Sequence, residues 1–216
     1  MQALHYVRLI FKGDWMSRGL LGCLIAIVLI IAVVGLFLAS TYNNLVSLSQ
    51  AVDAQWAQVE NVYQRRADLI PNLVATVKGV ANFEKSTYTQ VAEARAKVGQ
   101  LNVNASNLPT DPAAFAKFQA AQDSLSGALT HLLAVVENYP QLKANENFLE
   151  LQSQLEGTEN RIAVERNRYN QVAQTFNTTR QQFPTVVVAG MFGDKFKPRE
   201  YFKAQPGAQT APQVNF

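Results

Sequence analysis

The chain has 216 residues, 48% of them hydrophobic, with a formal net charge of +3, one cysteine and two histidines. A lone Cys23 excludes an intrachain disulfide framework and a thiolate metal site, and His5 and His131 leave little for zinc or a histidine-activated nucleophile. Lys and Arg are mixed with Asp and Glu instead of forming basic stripes, which argues against nucleic acid as a partner.

Residues 1–19 form a short basic segment, with Arg8, Lys12 and Arg18 against the single acid Asp14 and an apolar component of Leu4, Val7, Leu9, Ile10 and Phe11. Two readings stay open: an interfacial helix with Trp15 and Arg18 at headgroup level, or a disordered tail ahead of a second start at Met16. Leu20–Ala39 then holds no charged, Asn, Gln or Pro residue. As a helix this stretch reaches about 30 Å, the thickness of a bilayer's hydrocarbon core. It is expected to be a single transmembrane anchor, with Leu20, Leu21, Leu24, Ile27, Leu29, Ile31, Val34 and Phe37 in lipid. Basic residues precede the anchor and none follows until Arg65, so the positive-inside rule places the N-terminus in the cytoplasm and the following domain outside it. A cleaved signal peptide is the rival; the apolar run is long for one, and Phe37-Leu38-Ala39-Ser40 lacks the small-x-small cleavage pattern. Leu20-Leu21-Gly22-Cys23 is a poor lipobox because the apolar stretch follows the cysteine. Gly22 and Ala26 make one small-x-x-x-small pair, a weak signal for helix association.

From Thr41 to Val80 a stripe of Leu45, Leu48, Val52, Trp56, Val59, Tyr63, Leu69 and Leu73 predicts an amphipathic helix. No Gly or Pro separates Ala39 from Leu69, so anchor and helix are expected to form one stalk, which Pro71 kinks or restarts. Asn82 is a candidate cap for a second helix over Glu84–Leu101. Asn102–Asp111 reads as a loop, with Asp111-Pro112 opening a third helix that carries Phe115, Phe118, Gln122, Leu125, Leu129, Leu132, Val136 and Tyr139 at coiled-coil spacing. A last helix is expected over about Leu142–Gln181 with Phe148, Leu151, Leu155, Thr158, Ile162, Glu165, Tyr169, Val172 and Phe176 on one face. The fold class is therefore all-α: an elongated antiparallel helical bundle over residues 41–183 behind a single transmembrane helix at 20–39.

Phe183-Pro184 closes the bundle and residues 184–216 follow as an apolar segment and an extended tail. Thr185–Phe192 is too short to span a membrane; it either caps the bundle's end or touches a membrane or partner. The aromatics of the tail suggest that it lies along its own domain, with Tyr201, Phe202, Val214 and Phe216 docking; the terminal Val-Asn-Phe could instead add to a partner's sheet edge.

Tyr42-Asn43-Asn44-Leu45-Val46, Arg65-Arg66-Ala67-Asp68-Leu69-Ile70-Pro71-Asn72-Leu73-Val74 and Val77-Lys78-Gly79 resemble the LemA family. So do Phe148–Gln152, Thr158–Ala163, Arg168-Tyr169-Asn170 and the closing pattern of Phe183-Pro184, Ala189, Phe192-Gly193, Tyr201-Phe202, Pro212 and Phe216, with Asp194 where members usually carry an aromatic. The resemblance implies a bacterial membrane protein with an antiparallel four-helix bundle. Its family context implies envelope partners such as a metallopeptidase or a TPM-domain protein.

The candidate sites are polar. Arg65 and Asp68 are spaced to pair on one helix face. Arg66 and Glu165 both fall near apolar stripes and are expected to meet, with Asp68 and Asn72 bonding the backbone freed at Pro71. These groups either fix a kink and the helix register or form a recognition patch. Glu150, Glu156, Glu159 and Glu165 lack the Glu-x-x-His partner of a di-metal bundle site and read as solvated ion pairs with Arg161, Arg166 and Arg168. No cofactor, metal or catalytic constellation is indicated. Two functions are in view: a non-enzymatic, self-associating scaffold at the inner membrane, or an accessory subunit that regulates a membrane enzyme through pliable points at Pro71 and Gly79.

Overall fold

The structure, a computed structural model, describes residues 3–80, 83–101 and 108–204, with side chains from residue 20 onward. Among these residues every regular element is a helix: α1 Ala3–Lys78, α2 Lys85–Leu101, α3 Pro112–Val136, α4 Pro140–Lys143, α5 Glu146–Gln181 and α6 Thr185–Met191.

The 76 residues of α1 run without interruption through the apolar stretch and into the domain, a rod of about 114 Å. Its two halves differ in what surrounds them. Leu20 through Leu36 are exposed throughout, so this stretch is no core helix of a soluble domain, and it is long and apolar enough to cross a membrane. From Leu45 the buried positions are Leu45, Ser49, Val52, Trp56, Val59, Tyr63, Arg66, Ile70, Leu73 and Val77, alternating four and three apart. That is a heptad seam, and only Ser49 and Arg66 in it are polar. Leu48 and Leu69, expected in the seam, lie at its edge and are half-buried.

Pairs of side chains give the directions of the other helices. Gln55 bonds Glu165 and Arg66 bonds Glu159, so α5 runs antiparallel to α1. Arg95 on α2 reaches Ala67, while Lys78 lies over the Tyr88 ring, so α2 is antiparallel to α1 as well. Phe115 packs on Trp56 and Phe118 on Tyr63, which sets α3 parallel to α1.

The expected last helix is in fact two. Tyr139-Pro140 opens the four-residue α4, and the Asn145 side chain then accepts from the Phe148 N–H at 3.0 Å to start α5 afresh. The N-terminus of α3 is as expected: the Asp111 carboxylate accepts from the N–H groups of Ala113 and Ala114, each at 3.0 Å, and Pro112 follows it. The proposed Asn82 cap and residues 102–107 of the expected loop lie outside the described residues; the remainder of that loop is a short 3₁₀ turn with Leu108 buried.

The core is divided lengthwise. One cluster, nearer the apolar stretch, gathers Leu45 to Tyr63 of α1, Phe115 and Phe118 of α3, Ile162 to Phe176 of α5, Val188 and Ala189 of α6, and Phe196 and Phe202 of the tail. The other joins Ile70, Leu73 and Val77 to Val91–Val98 of α2, Leu125–Val136 of α3, Leu142, Phe148 and Leu155. On α1 the first cluster stops at Tyr63 and the second begins at Ile70, with Arg66 between them.

Candidate functional site

The polar layer between the two clusters is built where Arg66 of the α1 seam meets Gln122 of the α3 seam. Arg66 is 1% exposed. Its Nη1 donates to Ser126 Oγ at 2.6 Å and to Glu159 Oε1 at 2.7 Å, and its Nη2 donates to Gln122 Oε1. Gln122 replaces a hydrophobic residue in the α3 seam just as Arg66 does in α1, so the two meet at one level only. The guanidinium also lies 5.2 Å from the centroid of the Tyr63 ring. Glu159 keeps part of its carboxylate in water, at 38% exposed, so the ion pair is only half desolvated. Arg66 Nε, Gln122 Nε2 and the Tyr63 hydroxyl are buried without a hydrogen bond. Burial pushes the Tyr63 phenol up to about 12, although the cations of Arg166 and Arg66 pull the other way.

The expected partner of Arg66 was Glu165, and the structure corrects this. Glu165 lies six residues further along α5, where it accepts from Gln55 Nε2 at 2.6 Å and Arg168 Nη1 at 2.8 Å. Heptads identify the buried face but not the axial offset between helices, and the arginine reaches the acid at its own level. The expected Arg65–Asp68 pairing is replaced too: Asp68 Oδ1 accepts from Gln64 Nε2 at 2.7 Å. Of the other acids on α5, Glu150 and Glu156 accept from Gln154 and Gln152, and Arg166 pairs with Asp123 at 3.4 Å instead of an α5 carboxylate. No group of three or more His, Cys, Asp or Glu that could hold a metal ion occurs among the described residues.

Pro71 sits inside α1, which neither stops nor restarts there. A proline has no N–H, so the carbonyl four residues earlier, that of Ala67, loses its helical partner. Arg95 Nε of α2 donates to that carbonyl at 3.0 Å. Neither Asp68 nor Asn72 does so; the Asn72 carbonyl accepts instead from Thr76 Oγ1 at 2.9 Å. The irregularity is therefore stapled to the neighbouring helix.

The tail is held by side-chain amides. Residues 197–204 belong to no helix or strand. Asn177 accepts from the Arg199 N–H at 2.9 Å and donates to the Arg199 carbonyl at 2.8 Å. Asn170 does the same for Phe202, both bonds 2.9 Å, and Gln119 of α3 brackets Lys203 at 3.2 and 2.8 Å. Each amide thus stands in for a neighbouring strand. The clamp spacing fits an extended tail: seven residues of helix rise about 10.5 Å, a span that three residues of chain cover only when nearly extended. Between these clamps Phe202 enters the first core cluster, stacking on Trp56, and Arg199 reaches back to α1, where Nη2 contacts Asp53 at 3.0 Å and Ser49 Oγ at 2.9 Å. So the second polar residue of the α1 seam is matched by the tail. Of the tail residues expected to dock, Phe202 is buried, Tyr201 lies at the surface with its hydroxyl on Asn177, and Val214 and Phe216 lie outside the described residues. Asp194, at the position that departs from the resemblance, is fully exposed and pairs with Lys197.

The region that carries the Arg66 layer, the Pro71 staple and the tail clamps is the region matched by a family model. That model, described as the LemA family, matches residues 55–216. The chain belongs to the LemA family. Relatives include the magnetosome protein MamQ 2 of Paramagnetospirillum magneticum, 28% identical over 184 residues, with 78% of this chain and 67% of the relative covered. The magnetosome protein MamQ of Magnetospirillum gryphiswaldense is 28% identical over 191 residues, covering 80% and 70%. Protein LemA of Metamycoplasma hominis is 25% identical over 147 residues, covering 68% of this chain and 63% of the relative. The family match begins within α1, beyond the apolar stretch.

Of the sites read from sequence, Arg66 alone became the centre of a buried network. The three amide clamps were missed, because an Asn or Gln beside a buried stripe looks like any solvated polar residue. A signal was present: Asn170 and Asn177 are one heptad apart, each directly after an aromatic of the seam, Tyr169 and Phe176.

Proposed function

We propose that this LemA-family chain is a non-enzymatic scaffold anchored in the bacterial inner membrane, with its N-terminus cytoplasmic and its domain on the outer side of that membrane. In this reading α1, α2, α3 and α5 form an antiparallel four-helix bundle that associates with copies of itself and with other envelope proteins. One observation carries the proposal: the helix that is bare and apolar from Leu20 to Leu36 is the same helix that supplies the central seam of the domain. Anchor and domain then move as one body, and a body confined to a thin layer above a bilayer has a raised effective concentration toward its neighbours. The stapled Pro71 and the clamped tail favour a rigid body over a pliable signalling joint. Basic residues on the N-terminal side of the apolar stretch support the orientation.

The test is cross-linking in native membranes, followed by native mass spectrometry of the full chain in nanodiscs. Oligomers at low protein-to-lipid ratio are expected. Monomer alone under both conditions would overturn self-association, and protease cleavage of the domain from the cytoplasmic side would overturn the orientation.

A further inference from the structure

The short helix α6 turns one face to the core and the other to nothing in the domain. Val188 and Ala189 are buried in the first core cluster. Phe183, Val186, Val187, Met191 and Phe192 are exposed, Phe183 at 84% and Met191 at 67%. Val187 and Met191 are four apart on α6, so they share a helix face, and the exposed Phe183 lies in the turn just before that helix. No charged residue occurs between Thr185 and Met191. A short helix with this much bare apolar surface is costly in water, and patches of this kind mark contact surfaces.

Its location says what covers it. Val188, Met191 and Phe192 line a shallow apolar recess of about 280 Å³ with Leu38, Ala39, Tyr42 and Asn43 of α1. The Phe192 ring packs on Tyr42, centroids 4.9 Å apart. Leu38 to Tyr42 is the turn of α1 directly after the apolar stretch. On the membrane-spanning reading above, on which this inference rests, that turn lies at the level where hydrocarbon gives way to headgroups. Tyr42 is there the kind of residue enriched at such boundaries. Lys195 sits beside it, its ammonium 4.8 Å from the Tyr42 ring centroid and donating to the Tyr42 hydroxyl, where it would meet lipid phosphates. The apolar face of α6 is therefore continuous with the lipid-facing surface of the anchor.

We propose that α6 is a second membrane contact: Val187 and Met191, with Phe183 in the turn before them, enter the interface of the same bilayer that α1 crosses. The domain would then rest on the membrane at two places, a spanning helix and a surface helix joined through Tyr42 and Phe192. Two contacts fix the tilt of a rod that one crossing helix leaves free.

The test is site-directed spin labelling of the full chain carrying Cys23→Ser, in vesicles of phosphatidylethanolamine and phosphatidylglycerol. Single labels go at Val187→Cys and Met191→Cys, with Leu29→Cys as the bilayer control and Ala54→Cys as the aqueous control. Circular dichroism checks that each variant folds. Accessibility to oxygen and to a water-soluble nickel chelate is read for each. The proposal expects the oxygen-to-nickel ratio at 187 and 191 to exceed that at 54 severalfold. Nickel access at 187 and 191 with Leu29 still in lipid would overturn the second contact and leave the anchor standing. Nickel access at Leu29 as well would remove the membrane reading on which it rests. Exclusion of both reagents, with dipolar broadening that disappears on dilution with unlabelled protein, would show that a second copy covers α6 and would also overturn it.

Discussion

Replacing Arg66 with alanine removes the hub of the polar layer, and the loss can be worked from its neighbours. Glu159 is the smaller part, since a carboxylate 38% exposed regains water when its partner leaves. Gln122 is the larger part: it is 2% exposed, and its Oε1 would be left without a donor, at about 1–3 kcal/mol. The two buried methylenes beyond Cβ add about 1.5 kcal/mol of lost burial. A loss of about 3–4 kcal/mol follows, which for a domain of this size lowers Tm by roughly 6–16 °C. Pairing Arg66→Met with Gln122→Leu removes both buried polar groups together and should restore most of that loss, because exchanging a buried polar set for packed apolar groups is often neutral or stabilising. What the double variant should lose is register at this level: Arg66 and Gln122 match at one axial offset, whereas the apolar pair that replaces them can pack at several. Thermal unfolding of the full chain in nanodiscs by circular dichroism gives the first quantity, and amide exchange across α3 and α5 gives the second. The reasoning is refuted if Arg66→Ala shifts Tm by under 2 °C, or if the double variant is as unstable as the single one.

Other outcomes follow from the same structure. Tyr63 has its folded pKa raised to about 12 from the usual 10, so its stabilising effect is complete below pH 10 and is lost as pH rises from 10 through 12; Tyr63→Phe should flatten this alkaline loss in denaturant titrations, and an unchanged slope would contradict it. Burial raises the Tyr169 phenol as well, so ultraviolet titration should show two phenols ionising above the ordinary tyrosine range. At Pro71, Arg95→Ala should cost about 1 kcal/mol in the parent, but nothing once Pro71→Ala restores the helical partner of the Ala67 carbonyl; additive effects would show that the staple is unimportant. In the tail, the Arg199, Glu200 and Phe202 amides should exchange slowly, the middle one because it donates to the Pro109 carbonyl. Asn170→Ala should release Phe202 at least about tenfold, consistent with loss of a hydrogen bond and its partner of about 1.4 kcal/mol or more.

What the sequence conveyed depended on the kind of information each residue carries. Periodicity located the long helices and the seam of α3 residue by residue, because apolar spacing directly encodes which face is buried. Asp111-Pro112 fixed a helix start for a local reason, a side chain that reaches its own backbone. The Ala144-Asn145 break was hidden because neither a Gly nor a Pro marks it. Arg66 could be placed in the seam but its partner could not, since Glu159 against Glu165 is a question of axial offset, set by connections and large aromatics such as Trp56 and Tyr169. Arg95 at Ala67 and the amides at Arg199 and Phe202 were beyond reach for the same reason: each joins a side chain to a backbone group on another element, and backbone groups leave no trace in a sequence. The apolar stretch was plain from composition, and the lack of Gly or Pro between Ala39 and Leu69 predicted the one continuous helix that the structure shows.

That continuity is the central claim, and one distance tests it most directly. With Cys23→Ser, spin labels at Leu29→Cys and Ala54→Cys bracket the passage from the apolar stretch into the domain, both on exposed positions of α1. Twenty-five residues of unbroken helix separate their backbones by about 38 Å. Double electron–electron resonance on the full chain in nanodiscs should give one narrow distribution near that value. A broad distribution, or a mean shorter by 10 Å or more, would mean that the helix bends or breaks at the membrane and that anchor and domain are not one rod.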